Sequence, residues 1–321
     1  MQIFVITTFI WISSSISFAS TQLTVDHIMD LSWNSTRTML AVAGSLNGNE
    51  GIHLFDANGD YIDSLITTDR VFSVSWSSDD TKLAAYTSDR RISIWDVSSR
   101  TIINDFEEEF ATKVDYSIHW HPQSGNNTIV TQLSSSGMVY DSLTGTLNIV
   151  LTVENPVEPI STLVWNEDGT RIFTRSDDDR IRIWDVVNDT VVDMVHIDGS
   201  ESLQLSPDGD FLAVGNSYNV ITILDADTFD VVETLHGLPD IESRFSAVRW
   251  SNDGTQIAGS GYQRIIVWDV SSGEIINTIT VLDEPFSLDE ISAVHPEAVD
   301  FGPDNILTYV SYSVIINTDT E

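Results

Sequence analysis

The side chains that could do chemistry in this 321-residue chain are mostly carboxylates: 49 Asp and Glu against 14 Lys and Arg, a formal charge of −35, with no cysteine. The missing thiol excludes a disulfide framework, a thiolate metal site and a cysteine nucleophile. No glycine-rich phosphate loop, paired metal-binding histidines or Gly-x-Ser-x-Gly elbow occurs. His119 and His121 alternate on one strand and could share a metal, but His121-Pro122 reads better as a turn. Asp56-Ala57-Asn58-Gly59-Asp60 opens like a calcium loop, yet Tyr61 holds the position that needs Gly and no Glu closes it. It reads as a hairpin turn. Asp177, Asp178 and Asp179, flanked by Arg175 and Arg180, read as a solvated turn. Carboxylates paired only by the fold stay invisible at this level. No catalytic residue, cofactor or metal site is expected.

The charge also sorts partners. Phosphate backbones need clustered cations, so nucleic acid is disfavoured, and anionic membranes for the same reason. Two lysines against twelve arginines leave an acidic, lysine-poor surface, suited to high salt or to an extracellular protein that must stay soluble. With 41% hydrophobic residues the chain can bury a sizeable core.

Met1 to Ser20 carries no charged side chain, and Ile3 to Ile16 is an apolar run broken only by Thr and Ser. Small residues at Ser17 and Ala19 fit cleavage after Ala19, although the segment before the run lacks Lys or Arg. The reading is a secretory signal over residues 1–19 and a secreted or periplasmic mature chain over 20–321, in which Asn34, Asn126 and Asn188 would head glycosylation sequons in a eukaryotic host. An uncleaved anchor and a mis-assigned start are the alternatives.

A repeat of about 44 residues runs through the rest. A short alternating run ends on Trp33, Trp76, Trp120, Trp165, Leu205, Trp250 and Phe301, at spacings of 43, 44, 45, 40, 45 and 51 residues. Downstream in each copy an apolar strand closes on Asp, as in Ile94-Trp95-Asp96, Ile183-Trp184-Asp185 and Val267-Trp268-Asp269, with weaker versions at Asp56, Asp141 and Asp225. Eight of the nine tryptophans fall on these two landmarks. A third strand lies between them and a fourth follows the Asp. Four alternating strands per copy with Gly, Asp and Ser turns read as β-meanders, and no apolar stripe of helical period appears. A small sheet cannot bury both faces alone, so the copies must stack radially.

Trp76-Ser77-Ser78-Asp79-Asp80, Leu205-Ser206-Pro207-Asp208-Gly209 and the three Trp-Asp dipeptides resemble the WD-repeat β-propeller family over about residues 22–318. The resemblance implies an all-β, seven-bladed β-propeller with four-stranded antiparallel blades, acting as an interaction platform. The family's Gly-His dipeptide is missing, and its loop Asp survives only as Asp89 and Asp178, with Tyr218 and Tyr262 in two other copies. Its hydrogen-bonded tetrad is therefore degenerate. The last copy is one strand short, and Gln22–Val25 is expected to fill that place and close the ring.

In such a ring the loops between second and third strands and between successive blades share one face. Arg70, Arg90, Arg91, Lys113, Arg175, Arg180, Arg244 and Arg264 map there, eight of the fourteen cations, with Tyr218 and Tyr262 on the same loops. Arg with Tyr is the composition of binding hot spots; Arg beside a loop Asp also pairs locally. The long 282–296 loop opens on the same face. The reading is an exported, monomeric, non-catalytic propeller binding a protein or peptide through that face. An exported enzyme or small-ligand sensor at the channel mouth is one alternative, and an intracellular scaffold is the other. Circular dichroism of residues 20–321 is expected to show under about one tenth helix, since the repeat is built of strands; substantial helix would refute the repeat assignment.

Overall fold

The computed structural model describes residues 25–108, 117–133, 136–152, 159–238, 245–261, 264–280, 299–305, 307–311 and 314–318. It is an antiparallel meander repeated along the chain. The first sheet holds β1 (Val25–Trp33), β2 (Met39–Leu46), β3 (Asn49–Asp56) and β4 (Tyr61–Ile66). The second holds β5 (Val71–Trp76), β6 (Lys82–Thr87), β7 (Arg91–Asp96) and β8 (Thr101–Glu107). The third holds β9 (Ile118–Trp120), β10 (Thr128–Leu133), β11 (Ser136–Asp141) and β12 (Leu147–Thr152). The fourth holds β13 (Ile160–Trp165), β14 (Arg171–Ser176), β15 (Arg180–Asp185) and β16 (Thr190–His196). The fifth holds β17 (Ser200–Leu205), β18 (Phe211–Asn216), β19 (Val220–Asp225) and β20 (Val231–His236). The sixth holds β21 (Ala247–Trp250), β22 (Gln256–Gly261), β23 (Arg264–Asp269) and β24 (Ile275–Thr280). A last, three-stranded sheet follows: β25 (Val299–Phe301), β26 (Leu307–Ser311) and β27 (Val314–Thr318).

Seven four-stranded blades are expected from the repeat; among the described residues six are formed, and the last repeat supplies only three strands. Of the expected closing segment Gln22–Val25, only Val25 is among the described residues. Val25 begins β1 and pairs with Leu46 of β2, inside the first blade. Gln22 to Thr24 lie outside the described residues, as do the expected signal over 1–19 and the whole 282–296 loop. Among the described residues the ring is joined by inner strands, with β1 lying against β25. Arg37 Nη1 reaches Asp300 Oδ2 at 3.0 Å across this junction. Gly302 allows the approach: a Cβ there would stand 3.0 Å from the Trp33 indole.

The core sits between blades. One cluster joins Ala41, Ile52, Leu54 and Leu65 of the first blade to Val74, Trp76, Leu83 and Trp95 of the second. Another joins Tyr86, Ile92 and Ile94 to Ile118, Trp120 and Ile129. Each blade thus buries one face on each neighbour, and the alternation of its strands serves two cores. Polar side chains tie the inner strands sideways. Buried Asp30 accepts from Ser73 Oγ at 2.8 Å and Val74 N at 2.9 Å in the next blade. Ser75 Oγ accepts from Trp120 N at 3.0 Å, and Gln204 Oε1 from Trp250 N at 2.6 Å.

The Asp that ends each third strand has a local reason to be there. Asp96, Asp141, Asp185, Asp225 and Asp269 each accept turn N–H bonds, from Ser99, Thr144, Asn188, Thr228 and Ser272 at 2.8 to 2.9 Å. The carboxylate thereby satisfies donors that the hairpin would leave unpaired. A second set, Asp79, Asp168, Asp208 and Asp253, caps the turns between first and second strands. Much of the acidic composition is therefore turn chemistry.

These bonds stabilise the charged form. Burial works against the Asp79 and Asp253 carboxylates, but the Thr81 and Ser77 hydroxyls at one, and the Thr255 N–H and hydroxyl at the other, outweigh it and lower each pKa to about 2. Groups with folded pKa below their unfolded value contribute stability above it and lose that contribution as pH falls through the folded value. The urea midpoint should hold down to about pH 4 and drop steeply toward pH 2. Asp253→Asn should be less stable at neutral pH and show a shallower loss, and an unchanged acid profile would refute the turn-cap role.

Candidate interaction face

On the face carrying the loops between second and third strands and between blades, the turns between second and third strands have two or three residues at their tips. Arg90 sits at such a tip in the left-handed region, φ 66°. Its Nη2 pairs with Glu107 Oε1 at 3.3 Å. Arg91, at the start of β7, grips the Asp105 carboxylate, with Nε 3.0 Å from both oxygens and Nη2 2.9 Å from one. Arg175 is buried in β14, donating to Asp177 Oδ1 at 2.8 Å, to Ser200 Oγ at 3.3 Å and to Ser161 Oγ. Arg180 lies 3.4 Å from Asp178 Oδ2. The predicted cations are therefore largely matched to carboxylates of their own or adjoining strands. A pair so exposed as Arg90–Glu107 adds little stability.

Three predicted residues stand apart. Arg70 is exposed on the connection between first and second blades, and its carbonyl accepts from Ser88 N at 2.8 Å. Tyr218 is 66% exposed at the tip of the fifth blade's turn, which Asn216 Oδ1 fixes by accepting from Tyr218 N at 2.9 Å. Arg264 is half-buried at the start of β23. Arg244, Tyr262 and Lys113 lie outside the described residues. The residues placed by the structure do not converge on one point; they ring the face, blade by blade.

Sequence reasoning missed two buried charges. Arg182 in β15 donates to Asp178 Oδ2 at 2.5 Å and to Ser176 Oγ at 3.2 Å, and both partners of the ion pair are buried. Burial raises the Asp178 pKa, but Arg182 outweighs it and holds the carboxylate charged. An Arg on a strand that alternates Ile-Arg-Ile gives the only sequence hint. Glu108 is 1% exposed where the second blade leads into the third. Thr131 Oγ1 and Tyr140 OH donate to its Oε1 at 2.7 and 3.5 Å. Burial pushes its pKa up, partly offset by the Tyr86, Thr131 and Tyr140 hydroxyls. In a run of three glutamates nothing in the sequence marks the middle one.

The degenerate tetrad has visible consequences. In the fourth blade Trp184 Nε1 donates to Thr174 Oγ1 at 2.8 Å. The same register position is Ala85 in the second blade, where the buried Trp95 Nε1 has no partner among the described residues. It is Gly259 in the sixth, where Trp268 Nε1 donates to His236 O at 3.1 Å instead.

The other candidates resolve locally. His121 Nδ1 accepts from Gln123 N at 3.1 Å and Nε2 lies 3.2 Å from Gly169 O, so both ring nitrogens are committed. Burial lowers its pKa. Gly169, φ 70°, is required, since a Cβ there would stand 1.9 Å from the imidazole. Asp56 Oδ1 accepts from Asn58 N and Asp60 N at 2.8 and 2.9 Å, as a hairpin turn demands. Asn34 is buried and donates to Thr36, Thr38 and Asp80 side chains, leaving its amide unavailable as a sequon. No group of three or more His, Asp or Glu placed to hold a metal occurs among the described residues. No helix among them is long and apolar enough to cross a membrane.

Radial antiparallel sheets, Trp and Asp at fixed places in each, and a face of turns define a β-propeller of the repeat type. The chain is similar to the WD-repeat β-propeller family in its repeats, its relatives and its fold. The family model "WD domain, G-beta repeat" matches residues 148–185, ending on the Trp184-Asp185 dipeptide, and "Eukaryotic translation initiation factor eIF2A" matches residues 6–135. COMPASS component SWD3 of Saccharomyces cerevisiae is 24% identical over 206 residues, covering 61% of this chain and 64% of that protein. Anaphase-promoting complex subunit cdc20 of Dictyostelium discoideum is 26% identical over 160 residues, 49% of this chain and 32% of that protein. The chain thus spans less than two thirds of the length of these relatives. The crystal structure of the Myceliophteria thermophila Cps50 (Swd1) β-propeller domain superposes with a TM-score of 0.74 at 14% identity, covering 92% of this chain and 98% of that one. Relatives named for COMPASS and the anaphase-promoting complex belong to machinery of the cell interior, which overturns the expected secreted or periplasmic address.

Glu108 gives this face a pH test. Its folded pKa is raised above the ordinary 4.5, so its favourable contribution is complete below that value and is lost as pH rises through the folded pKa. Glu108→Gln should therefore gain stability relative to the parent between pH 5 and pH 8, read as urea midpoints. A constant difference across that range would show that Glu108 titrates normally.

Proposed function

We propose that the propeller is an intracellular, non-catalytic scaffold that binds a protein partner through the face bearing Arg70, Tyr218 and Arg264. The observation that carries this reading is the pairing pattern. Among the described residues most cations of the face are neutralised by local carboxylates, while Arg70 and Tyr218 stand exposed on it. Exposed Arg and Tyr on rigid turns are the composition of interaction hot spots, and little side-chain order is lost when they bind. Relatives named as components of complexes support a protein partner. The exported forms of this reading are set aside with the address. Because paired cations are already spent, they should contribute little to affinity.

The test is affinity capture from cytosolic and nuclear extracts, followed by binding of the recovered partner. Arg70→Glu with Tyr218→Ala should reduce affinity at least about tenfold, the range for hot-spot truncations. Arg90→Gln should change it less than about threefold. If the Arg70 and Tyr218 variants bind like the parent, the face is not the platform.

A further inference from the structure

On the opposite face, the turns between first and second strands line a cavity of about 550 Å³. It is independent of the Arg70 face and of the function proposed above. Its walls come from the fifth and sixth blades, the last sheet and the first blade: Leu205, Pro207, Trp250 and Pro303 supply apolar surface, and Arg37 the single charge. In a chain of −35, a cavity lined by one cation and no acid is a departure from the rest of the surface.

The neighbouring acids explain how it is kept. Asp80 accepts from the Asn34, Ser35 and Thr36 side chains and from the Ser35 and Thr36 N–H groups, which locks the turn carrying Arg37. Asp253 is held by Ser251, Thr255 and Asn305. Asp300 takes one Arg37 nitrogen, Nη1, at 3.0 Å. Among the described residues the other donors of the Arg37 fork have no protein partner, and a guanidinium offers five N–H groups. Arg37 is itself held in the left-handed region, φ 53°, so its position is imposed by the turn.

We propose that this cavity binds a carboxylate carried on an apolar body. The carboxylate takes the open side of the Arg37 guanidinium as a charge-assisted pair, and the body packs on Trp250, Leu205 and the two proline rings. Asp300 competes for the same guanidinium and tunes the affinity down. The carboxylate belongs either to a free small molecule or to an acidic peptide side chain; the chemistry at Arg37 is the same.

The test uses the whole chain and two matched probe pairs in calorimetric or NMR titrations: phenylpropionate with phenylpropionamide, and the peptide Ac-Ala-Phe-Glu-Phe-Ala-amide with its Gln counterpart. In at least one pair the carboxylate should bind about tenfold or more tighter than its neutral partner. Which pair shows the preference identifies the source. Arg37→Gln should abolish the preference. Asp300→Asn breaks the same ion pair, so it should lower the melting temperature similarly, yet it should tighten carboxylate binding several-fold. The opposite binding changes at matched stability separate ligand recognition from ring closure. Failure of both acidic probes to bind, a preference that survives Arg37→Gln, or weaker binding in Asp300→Asn would each overturn the proposal.

Discussion

A four-stranded sheet with two apolar faces has no stable existence by itself, and everything else in this protein depends on that. Trp76, Leu83 and Trp95 of the second blade are buried only because Ala41, Ile52 and Leu54 of the first lie against them, and the same relation recurs around the ring. Burial of a large apolar side chain contributes about 1.5–3 kcal/mol, so each interface is worth more than any hydrogen bond within it. The apolar interfaces hold the blades together without specifying how far one slides past the next. Asp30, Ser75 and Gln204 supply that register by reaching neighbouring inner-strand N–H groups.

The ring constraint also organises the charge. A blade's faces are taken by its neighbours, so ionisable groups collect at turns and outer edges. There the carboxylates cap hairpins, and the cations find them. Arg91 with Asp105 and Arg180 and Arg182 with Asp178 are consequences of adjacent strand ends, not of a common site. Recognition is left to groups such as Tyr218 that the turns carry outward without partners of opposite charge.

The last sheet shows what happens where the repeat weakens. With three strands, it relies on contacts at its inner edge: Arg37 to Asp300, Asn252 to the Gly302 carbonyl and Asn305 to Asp253. These polar contacts bring Arg37 and Pro303 to the same cavity.

Read alone, the sequence determined the class of fold. Trp and Asp at fixed places in each copy declare an interblade core residue and a turn cap, both local requirements of a β-meander, and so they are legible from spacing. The turn identities of Asp56 and His121 were legible for the same reason. The number of complete blades and the way the ring is joined were not. Alternation marks a strand without naming its partner, and the pairing of Val25 with Leu46 inside the first blade is a tertiary fact. Glu108 and the Arg37 cavity were beyond reach altogether. Both are made by residues from different blades, and only closure of the ring brings Tyr86 to Thr131, or Arg37 to Trp250.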